Sequence, residues 1–272
     1  MEDRNPGEGT GSGIGDADKA NAAWQRVLVD GLEALSLAQR VFRHLPSAPR
    51  CKMCYNPFGG VGGWLVGLVG FTPSRKNPNL CAKCCDRLPP GGLEIDIAVL
   101  FADVRGSTAI CEQVGARAFA DLLNSFYRIA TSVLLRHDAI IDKLIGDEVM
   151  ALFIPGIAGK RYRHRAALEA IDLISALSTQ TNLPVGVAVY AGVAYVGNVG
   201  VDQVVDFTAL GDPVNTAAHL QIEAKPGELI LADDIYGEFS EQYPDAEHRL
   251  LTVHGRGSPV GVRILQISSV AA

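Results

Sequence analysis

The sequence predicts an α+β protein: a ferredoxin-like β-α-β-β-α-β domain with a C-terminal extension, preceded by a small cysteine module of zinc-ribbon type and an amphipathic helix. Three observations carry that expectation. Apolar runs of strand length alternate with segments of helical period in this order; the breaker cluster Pro89-Pro90-Gly91-Gly92 precedes them; and two Cys-x-x-Cys pairs lie before the breaker.

With 272 residues and 48% hydrophobic content, the chain can bury one full core and carry a smaller module beside it. A formal charge of -6 gives no global basic field, so nucleic acid is not an expected partner. Residues 1–20 are rich in Gly, Ser and Asp, lack the apolar core of an export signal, and read as a disordered tail. The apolar run Val61–Phe71 has 11 residues, where a spanning helix needs roughly 20. The expectation is therefore a cytoplasmic chain without a membrane span, whose six cysteines sit in a reducing compartment where thiols more often bind metal than form disulfides.

Residues 21–45 place Trp24, Val27, Leu28, Leu32, Leu35, Leu37, Val41 and Phe42 near helical spacing, which predicts one amphipathic helix. Residues 46–90 hold Cys51, Cys54, Cys81 and Cys84. Each pair can grip one edge of a tetrahedral ion, so a closed structural Zn²⁺ site is expected; free buried thiols, a redox pair, or an iron–sulfur cluster with Cys85 as a spare ligand are the alternatives.

Residues 91–272 form the main domain. Leu93–Ala102 reads as a strand covered on both faces; it ends on Asp103 and turns through Gly106-Ser107-Thr108 into a helix N-terminus. A carboxylate beside free backbone N–H groups suits a metal-bound phosphate, although an acid there also serves simply to cap a helix. Phe119–Leu134 has helical period, Ala139–Lys143 and Glu148–Phe153 are short strands around Leu-Ile-Gly-Asp, a helix follows near Arg163–Leu177, and Val185–Ala191 is a strand. In this topology the first and third strands are antiparallel neighbours. Asp103 and Asp147 should therefore meet, and two repelling carboxylates are a site for divalent cations.

FADVRGST, DKLIGDEVMALF and DFTALGDPVNTAAHL resemble the three signature stretches of class III nucleotidyl cyclases, the adenylate and guanylate cyclase catalytic domain, over roughly Leu93–Gln266. The resemblance implies an adenylate cyclase that makes cyclic AMP from ATP, with Asp103 and Asp147 holding two Mg²⁺ or Mn²⁺ ions and the Val104 carbonyl assisting. Lys143 and Thr208 match the adenine-reading pair, and Asn215 matches the asparagine that orients the ribose. Four residues on, where the family usually has a transition-state arginine, stands His219, which lacks the charged fork. Arg105 and Arg256 are candidate substitutes, Arg256 lying in a stretch that often contacts phosphate. The resemblance also implies a dimer with shared active sites, either a homodimer or a pairing with another cyclase chain. Two other readings stay open: a nucleotide-binding regulator silenced at His219, and a zinc-centred interaction protein that uses the fold as a scaffold.

Overall fold

The computed structural model describes residues 13–31, 49–74, 77–86, 88–201 and 204–267. Helix α1 (Gly13–Gln25) continues as a π-helical turn over Arg26–Asp30. The tail expected to be disordered through residue 20 is thus helical from Gly13. Alanines at 17, 20, 22 and 23 favour helix, and the segment is anchored by Trp24 and Leu28, both fully buried. Trp24 stacks on Phe207 with ring centroids 6.0 Å apart and donates to the Pro90 carbonyl at 3.4 Å. Residues 1–12 and the later positions of the expected amphipathic helix, Leu32 to Phe42, lie outside the described residues.

The cysteine module contributes helices α2 (Gly60–Leu68) and α3 (Ala82–Asp86). After it, β1 (Gly91–Val104) is buried without a break from Ile97 to Ala102, as a central strand must be. Helices α4 (Ser107–Val114) and α5 (Ala116–Leu134) lead to β2 (Ile140–Ile145) and β3 (Glu148–Phe153); α6 (Pro155–Ala158) and α7 (Tyr162–Gln180) lead to β4 (Val185–Val201). The order β2-β3-β1-β4 is the expected ferredoxin-like core, with β1 antiparallel to both neighbours. The extension adds β5 (Val204–Leu210), α8 (Asp212–Glu223), β6 (Glu228–Ala232), α9 (Asp233–Tyr236), β7 (Glu247–Leu251) and β8 (Val260–Gln266). The strands make one sheet of eight, in which β5 pairs with the outer half of β4.

Residues Phe126, Ile129, Val133, Leu173 and Leu177 of α5 and α7 fill one face of the sheet. Trp24, Leu28, Leu80 and Ala217 cover the other, so helix α1 and the cysteine module share a core with the catalytic sheet. Strand β4 runs ten residues beyond its expected end at Ala191. Glycines at 192 and 197 break the apolar pattern there, yet a Cβ at Gly197 would collide with the Gly92 backbone. Those glycines permit close pairing; they do not end the strand.

One buried charge in this core sets a pH dependence. Glu169 on α7 is 1% exposed, with its Oε1 2.7 Å from His137 Nδ1. Burial, reinforced by Asp172 and Asp138 against Arg136, pushes its carboxyl up to about 8. The folded state holds this proton more tightly than the unfolded chain. Stability therefore falls as pH rises from the ordinary carboxylate range through about 8. Glu169→Gln should flatten that decline, with a thermal midpoint at pH 9 about 3 °C or more above wild type and little difference at pH 4.5. Melting curves at the two pH values check it.

Candidate active site and metal centre

Asp103 follows the buried run of β1 and pairs in register with Glu148, which sets Asp147 in the turn just before β3. Val104 N–H donates to the Asp147 carbonyl at 3.2 Å, locking that turn to the end of β1. The two acids that sequence separates are thereby brought to one point. Asp103 Oδ2 is paired with Arg105 at 2.7 Å, while its Oδ1 is buried without a hydrogen-bond partner among the described residues. Burial raises the Asp103 carboxyl to about 6, Arg105 opposing and Asp147 adding to the rise. Glu148 is raised as well, by burial and then by Asp103 and Asp147. An orphaned carboxylate oxygen among mutually repelling acids fits a divalent cation.

Gly106, at φ +68°, makes the left-handed turn that starts α4, so the N–H groups of Ser107 and Thr108 open a helix beside Asp103. Arg105 is fixed from two sides: its N–H donates to the Pro184 carbonyl at 2.6 Å and its Nη1 to the Ile222 carbonyl at 3.3 Å. Tyr127 donates its hydroxyl to the Gly146 carbonyl in the acid-bearing turn. Gln221, 1% exposed and without a side-chain partner among the described residues, also acts on the Asp103 carboxyl. Nothing in the sequence pattern pointed to Tyr127 or Gln221.

A second cluster forms around Lys143. The register of β2 slips between Ile141 and Lys143, and such a bulge re-aims the side chains it carries. Lys143 Nζ donates to Thr208 Oγ1 at 2.9 Å, to Asp206 Oδ2 at 2.9 Å and to Asp142 Oδ1 at 3.2 Å. Thr208 Oγ1 in turn donates to Asp142 Oδ2 at 2.7 Å. The predicted pair, Lys143 and Thr208, is thus in direct contact across 65 positions. Asp142 and Asp206, which complete the cluster, were not among the expected residues.

Helix α8 opens at Asp212 with Pro213 in its first turn. Asn215 on this helix is exposed and His219 half-buried, its ring 6.4 Å from that of His254. Arg256 reaches the same helix: Nη1 donates to Tyr190 Oη at 2.8 Å and to Thr216 Oγ1 at 3.4 Å, and Nη2 lies 3.5 Å from Asp212. The His254–Arg256 turn therefore faces the helix that carries Asn215 and His219. Among the described residues, no hydrogen bond or ion pair joins Asp103 or Asp147 to Lys143, Thr208, Asn215 or His219. The acid pair at the end of β1 and the Lys143–Thr208 cluster are two separate groups of side chains.

The four expected cysteines converge. The sulfurs of Cys51, Cys54, Cys81 and Cys84 lie within 4.8 Å of one another, and Cys54 Sγ is 3.7 Å from Cys81 Sγ. A tetrahedral Zn²⁺ with bonds near 2.3 Å holds its sulfurs about 3.8 Å apart. Backbone N–H groups of Cys81 and Cys84 donate to Cys51 Sγ and Cys81 Sγ at 3.2 and 3.3 Å, and Asn56 Nδ2 donates to Cys54 Sγ at 3.4 Å. Such donors are the usual outer shell of a thiolate–metal site. Hydrogen bonds from Cys54 and Cys84 pull the Cys51 thiol down to about 2, while the same contacts push Cys54 and Cys84 up. The cluster holds one thiolate readily; more need a cation. Cys85 stands outside the four and packs with Met53 and Leu88 against the core.

The module is tied to the catalytic sheet by Asn79, whose Nδ2 donates to the carbonyls of Leu135 and Ala139 at 3.2 Å each, and by Lys52, 2.6 Å from Asp138. Elemental analysis of purified protein should find about one Zn²⁺ per chain. Cys51→Ser should lower that content and cost several kcal/mol of stability, because metal binding here is folding free energy.

Residues 94–265 match the family model described as the adenylate and guanylate cyclase catalytic domain. An uncharacterised protein of Mycobacterium tuberculosis, Rv1319c, is 35% identical over 156 residues, covering 56% of this chain and 29% of that protein. A second from the same organism, Rv1318c, is 30% identical over 165 residues, covering 58% of this chain and 30% of that protein. The chain thus spans about three-tenths of the length of these relatives. The guanylyl cyclase Cya2 superposes with a TM-score of 0.59 at 20% identity, over 64% of this chain and 93% of that one. The adenylyl cyclase CyaB from P. aeruginosa superposes at 0.56 and 26% identity, over 64% and 95%.

Proposed function

From a chain that belongs to the adenylate and guanylate cyclase catalytic domain family, we propose an enzyme that converts ATP to 3′,5′-cyclic AMP and pyrophosphate at a site shared by two protomers. The observation that carries the choice of ATP is the contact between Lys143 and Thr208. An ammonium donates to the adenine ring N1, which is an acceptor, whereas guanine presents a donor there. The separation of the two half-sites within one chain supports the dimer, since symmetry brings the acids of one protomer to the Lys143 cluster of the other and makes two sites.

Asp103 and Asp147, with the Val104 carbonyl beside them, would hold Mg²⁺ or Mn²⁺, which supply Lewis-acid activation of the ribose 3′-hydroxyl and charge neutralisation at the triphosphate. The other roles belong to the chain. Ser107 and Thr108 offer backbone N–H groups to phosphate, Asn215 orients the ribose, and Arg256 brings positive charge to the start of α8. The 3′-hydroxyl attacks the α-phosphorus in line and pyrophosphate leaves. His219 contributes a weaker donor than arginine, so slow turnover is expected.

A second reading, GTP as substrate, is favoured by Asp206, whose carboxylate beside Lys143 is an acceptor for the guanine N–H donors. Incubating the purified chain with Mn²⁺ and ATP or GTP separates the two. Cyclic AMP as the main product is expected, with Lys143→Ala lowering kcat/KM for ATP about tenfold or more. Cyclic GMP as the main product would replace the ATP reading. Tight ATP binding without turnover would point to the regulatory one.

A further inference from the structure

Helix α2 is built the wrong way round for a helix that packs on its own domain. Its inner side is glycine: a Cβ on Gly63 would collide with the Phe58 backbone, and one on Gly62 would crowd Pro57. Its large residues other than the half-buried Val66 point outward. Val61, Trp64, Leu65 and Leu68, at positions i, i+3, i+4 and i+7, form one face, with Val69 continuing it; each is between 53% and 77% exposed. No charged residue occurs from Tyr55 to Ser74. A contiguous apolar surface of this kind marks an interaction site.

Charge identifies the occupant. Residues 46–90 carry six Lys and Arg against one acid, in a chain whose formal charge is -6. One of the cations flanks the helix: Lys83 lies along Gly70 with its Nζ 4.7 Å from the Phe71 ring. An apolar face bearing tryptophan, on a module with an excess of cations, is complementary to an anionic lipid surface, where the indole sits at headgroup depth and basic side chains meet phosphates. No helix among the described residues is long and apolar enough to cross a membrane, and α2, at nine residues, can only lie in the interface.

We infer that the cysteine module is a peripheral membrane anchor: Val61, Trp64, Leu65, Leu68 and Val69 insert into the headgroup region of anionic bilayers while Lys83 contacts lipid phosphates. The anchor is rigidly joined to the catalytic sheet through Asn79, so lipid contact orients the whole domain.

The test is co-sedimentation of the full zinc-loaded chain with vesicles of phosphatidylcholine alone or with 30% phosphatidylglycerol. Binding to the anionic vesicles is expected, with Trp64→Ser/Leu68→Ser lowering the partition coefficient at least about tenfold at unchanged circular dichroism. Brominated lipid gives a readout that needs no variant: it should quench the exposed Trp64 and spare Trp24, which is fully buried. Absence of wild-type binding, equal binding to neutral vesicles, or no quenching would overturn the anchor. So would concentration-dependent self-association that the double substitution abolishes in a chain with no vesicle affinity, because the face would then be a protein interface.

Discussion

Asp103→Asn should yield a folded chain that makes no measurable cyclic nucleotide and yet melts at a higher temperature than wild type. Loss of a metal-holding carboxylate removes several kcal/mol of transition-state stabilisation, about 10³-fold or more in rate. The gain in stability follows from the carboxyl of Asp103 being raised to about 6, chiefly by burial. Above that pH the folded state carries an ionised group that the unfolded chain would solvate better, and asparagine removes the charge. The sign is fixed: a raised carboxyl costs stability increasingly as pH climbs from the ordinary range through about 6. At pH 8 the variant should melt about 2 °C or more above wild type without divalent cation, and at pH 4.5 the two should coincide. Mn²⁺ should raise the wild-type midpoint and leave that of the variant unmoved. A variant that loses both activity and stability at pH 8 would mean that Asp103 holds the fold rather than the metal.

His219→Arg is the second large change, and it should raise kcat. Arginine at this turn of α8 would add a fixed, charged fork aimed at the reacting phosphate, and one such donor is worth about 10² to 10³ in rate. Arg256 is nearby, but its guanidinium is already engaged by Tyr190, Thr216 and Asp212. It is therefore not expected to supply that fork. Initial rates with ATP and Mn²⁺ for both proteins decide the point. A gain near 10² assigns the slow step to position 219; an unchanged rate would show that another group, Arg105 or Arg256, already fills the role.

The parts of this molecule that sequence revealed are those in which spacing alone carries the information. The unbroken run of β1 announced a strand buried on both faces, the three- and four-residue steps through Phe126 and Val133 announced α5, and the two Cys-x-x-Cys pairs announced their own convergence. Topology then did what spacing could not, carrying Asp103 to Asp147. What stayed hidden depended on single residues departing from a pattern. The slip at Asp142 turns two neighbouring side chains into the Thr208 cluster, and no periodicity foretells a bulge. Asp206 reads as an ordinary strand residue until β5 is laid beside β2. The glycines of β4 look like a strand end because sequence does not show that a neighbouring backbone needs their missing side chains. Helix α1 began early for a related reason: composition described a polar tail, while the anchoring of Trp24 in a distant core decided its fate.

Asn79 has one more consequence. The chain's punctuation at Pro89–Gly92 invites the view that the catalytic half could be inherited, swapped or cut free as a self-sufficient unit. The bonds run otherwise. A protein begun at Gly91 would leave the Leu135 and Ala139 carbonyls without their amide donor and strip Trp24, Leu28 and Leu80 from the underside of the sheet. Ala139 immediately precedes β2, the strand that bears Lys143. The covalent seam and the energetic seam thus fall in different places: Cys81 of the four-cysteine cluster stands two residues from Asn79, so the packing of that cluster reaches the strand that bears Lys143.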